Sequence, residues 1–353
     1  MQNDHDTLPS RGRMSAPVRF ATIGVNHNHI HGQTALMLRA GAELAAFHAE
    51  EDDLAALYSA AFPMAKRVAD KRAILEDESI HLVTSAAIPD TRAAIAMEIM
   101  RHGKDVMVDK PGCITLDELE EIKKVQAETR RIFSVCFSER FENAATQRAS
   151  EMVAEGQIGK VVQTVGLGPH ALNNNPRPDW FYRRKRYGGI LTDIAAHQCD
   201  QFLHFTGSTQ AEVVASHIAN HGNPGKPELE DFGEVLLRGN GGSGYIRVDW
   251  FTPKGLGAWG DGRLTILGTG GYIELRKYID IAGRPGGDHL FIADAKGVRH
   301  KDCAATTLTY GPRLIHDILD RTETAMTQAH CFLATELALS AQAKATRLAG
   351  AAS

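Results

Sequence analysis

From Val18 to Phe137 the chain alternates short apolar runs with stretches of helical spacing. Val18–Val25, Glu43–His48, Lys66–Ala69, His81–Ala86, Asp105–Asp109 and Ile132–Phe137 read as strands. Ile30–Ala40, Asp52–Ala61, Asp90–His102 and Thr115–Arg130 read as helices between them. Strands that are apolar nearly throughout need cover on both faces, and right-handed crossovers supply it with helices. The pattern predicts an α/β fold over residues 18–139, a doubly wound parallel sheet of Rossmann type.

The rhythm changes after Phe141. A helix at Glu142–Glu155, a strand at Val161–Gly168 and a Pro- and Asn-rich loop lead to a helix at Leu191–Phe205. Strands then dominate at Glu212–Ala219, Phe232–Arg238, Gly244–Phe251, Arg263–Leu267 and Tyr272–Arg276, with Gly-rich turns between several of them. Helices at Pro312–Thr322 and Cys331–Arg347 close the chain. Residues 140–353 therefore read as an α+β domain with a large open, mainly antiparallel sheet. Residues 1–17 are polar, and they read as disordered or as a misassigned start before Met14.

Composition narrows the function. A net charge of -4 leaves no basic stripe for nucleic acid. The run Arg183–Arg186 is short and reads as a solvated loop. No apolar run is long enough to span a bilayer, and the N-terminus lacks a signal-peptide core, so the chain reads as cytoplasmic, with no membrane partner. Five scattered cysteines make neither a disulfide framework nor a zinc knuckle.

Three motifs carry chemistry. The first strand ends in Gly24-Val25-Asn26-His27-Asn28-His29, where a dinucleotide fold carries a glycine-rich turn. One glycine is kept; Asn26 is the substitute, since Asn tolerates left-handed backbone. His27, His29 and His31 invite a metal, but a turn would splay them and no acidic residue is near in sequence, so no metal is expected. The second motif, Asp109-Lys110-Pro111, brings a lysine to the C-terminal end of a buried strand, where open α/β sheets bind ligands. That lysine can stabilise charge on a substrate oxygen. In the third, a glycine pair at Gly188-Gly189 precedes Asp193, His197 and Asp200 on one helix face. A carboxylate beside His197 would orient it and favour its cation, which suits proton transfer.

With these motifs in this order the chain resembles the Gfo/Idh/MocA oxidoreductases, the glucose–fructose oxidoreductase and inositol dehydrogenase group. The resemblance runs from about Val18 to Arg347. It implies Lys110, Asp193 and His197 as the catalytic set, and a sugar, cyclitol or related polyol as substrate. Arg140 and Trp180 fit the family pattern and are expected, with His170 in the loop His170–Tyr187, to contact that substrate. Gly24, Asn26, His27, Asn28, His29, Ile88, Pro89, Asp109 and Lys110 are expected around the cofactor. Glu50, after the second strand, leans towards NAD, with NADP the alternative. A homodimer or homotetramer is expected through the second sheet, on the strength of Val213, Val235, Leu237, Tyr245, Ile246, Val248 and Trp250. Two other readings remain: a redox-neutral glycoside-processing enzyme with tightly held NAD, and a non-catalytic sugar sensor.

Overall fold

The computed structural model describes residues 17–172 and 177–348. The expected extension therefore lies, apart from Pro17, outside the described residues. A first sheet holds β1 (Arg19–Ile23), β2 (Glu43–His48), β3 (Lys66–Arg67), β4 (Leu82–Ser85), β5 (Asp105–Asp109) and β6 (Phe133–Cys136). Its order is β3-β2-β1-β4-β5-β6 and all pairings are parallel, the doubly wound arrangement that the alternation predicts. Strands β4, β5 and β6 are buried at every position.

The connecting helices are α1 (His29–Arg39), α2 (Asp52–Ala61), α3 (Arg72–Leu75), α4 (Pro89–Arg101) and α5 (Leu116–Thr129). Local chemistry sets their ends. Thr115 and Glu118 form a reciprocal capping box at the start of α5, and Arg130 ends it in the left-handed region at φ 54°. Pro89 opens α4, where a missing N–H costs nothing. Pro89 is thus a helix-start residue, and it does not line the cavity described below.

Beyond α6 (Ser138–Phe141) and α7 (Ala144–Ala154) comes β7 (Val161–Pro169). Two short helices, α8 (Arg184–Tyr187) and α9 (Ile190–Asp193), precede α10 (Ala195–Thr206). The expected helix at Leu191–Phe205 is therefore broken at Ile194. The second sheet adds β8 (Ala211–Ala219), β9 (Phe232–Gly239), β10 (Ser243–Asp249), β11 (Arg263–Gly268), β12 (Gly271–Arg276), β13 (His289–Asp294), β14 (Gly297–Asp302) and β15 (Thr346–Arg347). Its order is β14-β13-β12-β11-β7-β10-β9-β8-β15, mainly antiparallel, with β7–β10 and β8–β15 parallel. The hairpin β13–β14 is absent from the pattern reading. Its β14 is a polar edge strand, GVRHKD, with no apolar alternation. Helices α11 (Tyr310–Asp320) and α12 (Gln328–Lys344) follow, and α12 packs against β6, α5, α10 and β8, joining the two halves.

Register assigns the faces of the second sheet. Val235, Ile246, Gly166, Leu264, Leu275 and Leu290 lie side by side across six strands, and all are buried. Val248 and Trp250 are buried as well. This corrects the assembly argument. Val235, Leu237, Ile246, Val248 and Trp250 are core residues beneath helices of their own chain, and Val213 is half-buried against that core. The period-2 alternation of a strand does not say which face is covered. The outer row runs through Leu236, Tyr245, Val165, Thr265, Glu274 and Phe291. Leu236, Leu267, Tyr272 and Val298 are exposed apolar residues of that face. Among the described residues no helix is long and apolar enough to cross a membrane. All five cysteines are free and buried.

Candidate active site

A cavity of about 930 Å³ opens at the C-terminal edge of the first sheet and runs under the second. That edge, where β1 and β4 diverge, is where open α/β sheets bind ligands. The loop after β1 forms one end. Gly24 has φ +82°, and a Cβ there would lie 2.6 Å from the Ala87 Cβ, so only glycine lets the loop pass this close to the turn after β4. Asn26 is not in the left-handed region, contrary to its expected role as a glycine substitute. Its amide instead donates to the Glu51 carboxylate at 2.7 Å. Glu51 lines the cavity with Asp53, whereas Glu50 lines a separate surface depression beside Arg67. The acidic residue facing the cavity is therefore the neighbour of the one expected.

His27, Asn28 and His29 line the same end. Asp109, buried at the tip of β5, gathers His29 at 3.1 Å, His27 at 3.6 Å and Arg92 at 3.1 Å. Burial alone would raise the Asp109 carboxyl; His29 and Arg92 beside it hold it well below the carboxylate range. The two histidines do converge, on an acidic residue that chain distance had hidden, and one ligand atom from each of the three lies within 4.8 Å of the others. Arg92, wholly buried, also donates to the carbonyls of Ala87, Lys110 and Pro111, and so pins the turn that presents Lys110. Burial lowers the His27 pKa well below its ordinary value.

The loop spends part of its own backbone donors. The N–H of His29 donates to the His27 ring, and those of Ile30 and His31 to the carbonyls of His27 and Asn28. The Asn26 and His29 side chains are engaged by Glu51 and Asp109, so the Asn28 side chain and the N–H groups of Val25, Asn26 and Asn28, without a partner among the described residues, are what remains to meet a pyrophosphate. With Ile88 and Glu51 in its lining, this end is shaped for a dinucleotide although its loop keeps a single glycine.

The other end carries Lys110, His170, Trp180, Asp193 and His197, all lining the cavity. The Lys110–Pro111 peptide is cis. Gly188 and Gly189, at φ +89° and +96°, make the turn that delivers α9 and hence Asp193. Lys110 Nζ donates to Asp193 Oδ1 at 2.7 Å. Asp109 and Pro89 stand behind the wall.

The expected carboxylate partner of His197 is not Asp200. Asp200 is buried and takes both arms of Arg140, at 2.7 and 2.6 Å, and His330 Nε2 at 2.8 Å. Arg140 is thereby a cation paired with Asp200 and packed over Phe141, and it does not line the cavity. The anion acting on His197 is Glu139, which lines the cavity. Glu139 Oε2 accepts from Lys277 at 2.8 Å and Gln198 at 3.1 Å, while Oε1 and His197 Nδ1 have no partner among the described residues. Burial drives the His197 pKa down to about 3 despite Glu139, so the imidazole is neutral and not, as expected, favoured as the cation. Lys277 holds Glu139 at about 2 against burial.

Glu139, Lys277, Arg177, Trp259 and Tyr278 carried no motif and were missed. Only spatial neighbourhood assigns them. The basic run Arg183–Arg186 is likewise no free loop: Arg183, Arg184 and Arg186 pair with Glu228, Glu230 and Asp90. Of the loop His170–Tyr187, residues 173–176 lie outside the described residues.

Comparison with known proteins defines the class. Residues 18–137 match the oxidoreductase family with an NAD-binding Rossmann fold, and residues 146–274 match the GFO/IDH/MocA C-terminal domain. The chain belongs to this family of NAD(P)-dependent oxidoreductases. The NAD(+)-dependent scyllo-inositol 2-dehydrogenase of Bacillus subtilis is 25% identical over 80% of this chain and 79% of its own length. Levoglucosan dehydrogenase of Pseudarthrobacter phenanthrenivorans is 26% identical over 54% of this chain, which spans about half (49%) of that enzyme. A crystal structure from Erwinia carotovora atroseptica, provisionally described as an oxidoreductase, superposes with TM-score 0.91 at 44% identity, covering 94% of this chain and all (100%) of that one. A levoglucosan dehydrogenase complex with NADH and levoglucosan shares the fold, with TM-score 0.75 at 19% identity over 93% of this chain and 96% of that one.

Proposed function

We propose that the protein moves a hydride between a nicotinamide cofactor and a hydroxyl or carbonyl carbon of a sugar, cyclitol or related polyol. The observation that carries this reading is the Lys110–Asp193 pair, 2.7 Å apart, in the same cavity wall as a neutral, buried His197. The bound nicotinamide would supply the hydride acceptor or donor. Lys110 Nζ holds the reacting oxygen and stabilises its alkoxide-like charge. In oxidation the hydroxyl proton passes to neutral His197 and the Glu139 carboxylate stabilises the imidazolium so formed; in reduction that imidazolium returns the proton. Asp193 fixes the lysine and accepts from a neighbouring hydroxyl. Trp180, Trp250 and Trp259 offer apolar faces to the ring carbons. Sugar and cyclitol dehydrogenases among the relatives support the substrate class.

A panel of polyols, aldoses and glycosides with NAD or NADP, read at the nicotinamide absorbance, tests it. Reduction of the cofactor by at least one polyol or aldose is expected. Conversion of a glycoside without net cofactor reduction would point instead to a redox-neutral cycle.

For assembly, we propose a homodimer or homotetramer through the outer face of the second sheet, on Leu236, Leu267 and Tyr272. Paired Leu267→Glu and Tyr272→Glu changes should leave a monomer in light scattering. A wild-type monomer at micromolar concentration would refute the proposal.

A further inference from the structure

Among the described residues the buried charges at the reacting end of the cavity are closed in pairs, whereas one half-buried cation there is not. Lys110 meets Asp193 at 2.7 Å, Lys277 meets Glu139 at 2.8 Å, Arg92 meets Asp109 at 3.1 Å and Arg140 meets Asp200 at 2.6 Å. Burial holds His170 at about 4 and His197 at about 3, so neither carries charge at neutral pH. Arg177 is the exception.

Its guanidinium lies over the rings of Phe181 and Trp250, 4.8 and 5.1 Å from their centroids. Nε and Nη2 donate to the carbonyls of Leu172 and Ala171 at 3.3 and 3.4 Å, long for bonds from a charged donor. Nη1 has no partner among the described residues, and no described carboxylate is within ion-pair distance of Arg177. Asp193, already paired with Lys110, is the carboxylate whose charge reaches it most strongly. Arg177 therefore borders the reacting corner as a half-buried cation on an aromatic seat, lining the cavity with donors to spare. A desolvated charge without a counter-ion is costly, and a bound anion would relieve that cost.

We propose that the substrate is a sugar acid, and that Arg177 binds its carboxylate beside the carbon that exchanges hydride. This rests on the polyol-oxidoreductase reading and narrows it. A planar guanidinium suits a two-oxygen acceptor, and one unmatched positive charge suits a monoanion better than a dianionic phosphate.

The test uses the NAD-loaded protein and calorimetry with matched probes: D-gluconate against D-glucitol, and D-glucuronate against D-glucose, with D-glucose 6-phosphate as the third arm. At least one acid should bind about tenfold or more tightly than its neutral counterpart. Arg177→Gln should erase that preference and Arg177→Lys keep part of it. NADH affinity and melting temperature should change little in both variants, which separates substrate contact from a structural or cofactor role. Equal or tighter binding of the neutral probes, preference for the phosphate, a preference that survives Arg177→Gln, or a loss confined to NADH would each overturn the proposal. Turnover of neutral polyols together with no binding of acids sinks this inference and leaves the polyol reading standing. No binding by any probe, with no turnover in the wider panel, sinks both.

Discussion

The two ends of the cavity are built differently. The nucleotide end takes Val25–His29, Glu51, Asp53 and Ile88 from the tips of adjoining strands, so its residues follow from strand order. The substrate end collects Lys110, Glu139, His170, Arg177, Asp193, His197 and Trp250 from segments that only the packing of one sheet against the other brings together. The first end is largely a consequence of the Rossmann topology. The second is a set of charges balanced across long chain separations, and its balance is what chemistry can act on.

The sharpest way to break this contrast is to unbalance the substrate end. Lys277→Met leaves Glu139 buried beside His197 without its counter-ion, and should cost on the order of 3–5 kcal/mol of stability, read by urea unfolding. Adding Glu139→Gln should recover part of that loss. If the single change costs under about 1 kcal/mol, the pair is not the buried couple described here.

Turnover comes next. Lys110→Ala should lower it by about a hundredfold while NADH affinity changes little, because the lysine serves the substrate end. Near wild-type turnover would remove Lys110 from the reacting centre.

Acid should unmask the neutral histidine. His197 has an ordinary value of 6.5 and a folded value of about 3, so the unfolded chain binds its proton first. The stability from keeping it neutral is full above pH 6.5 and is lost as pH falls toward 3. At pH 5 the loss is about 2 kcal/mol. His170, held at about 4, adds in the same direction. Melting temperature should therefore decline from about pH 6.5 downward, before the carboxylates titrate. His197→Asn should blunt that decline; a flat curve to pH 5 in wild type would contradict the buried neutral state.

The smallest effect belongs to the nucleotide end. Asn26→Ala removes one hydrogen bond to Glu51 and should weaken NADH binding by about three- to tenfold, with turnover at saturating cofactor nearly unchanged. A fall in turnover as large as that of Lys110→Ala would erase the distinction between the two ends.

Legibility follows the same division. The six strands of the first sheet, the helix that begins at Thr115 and the positions of Lys110, Asp193 and His197 were readable, because apolar periodicity and glycine placement are local properties. The hairpin β13–β14 was not, since an edge strand facing water needs no apolar alternation. Glu51 was missed by one place, because nothing in Ala49-Glu50-Glu51 says which carboxylate turns inward.

The amino-acid sequence by itself determined the doubly wound half, the change to an antiparallel second half, and the lysine that stands at the end of β5. Tertiary structure alone decided the partners of the motif residues. His197 and Asp200 are three residues apart, yet Asp200 is taken by Arg140 and His330, and His197 faces Glu139. Asp109 binds histidines about eighty positions earlier, and Arg177 is left without an acid. Periodicity encodes which residues are buried, since burial depends on a residue's own element. Which buried charges cancel depends on how separate elements pack, because the cost of an unpaired ion is met by whichever opposite charge, or ligand, the fold brings within reach.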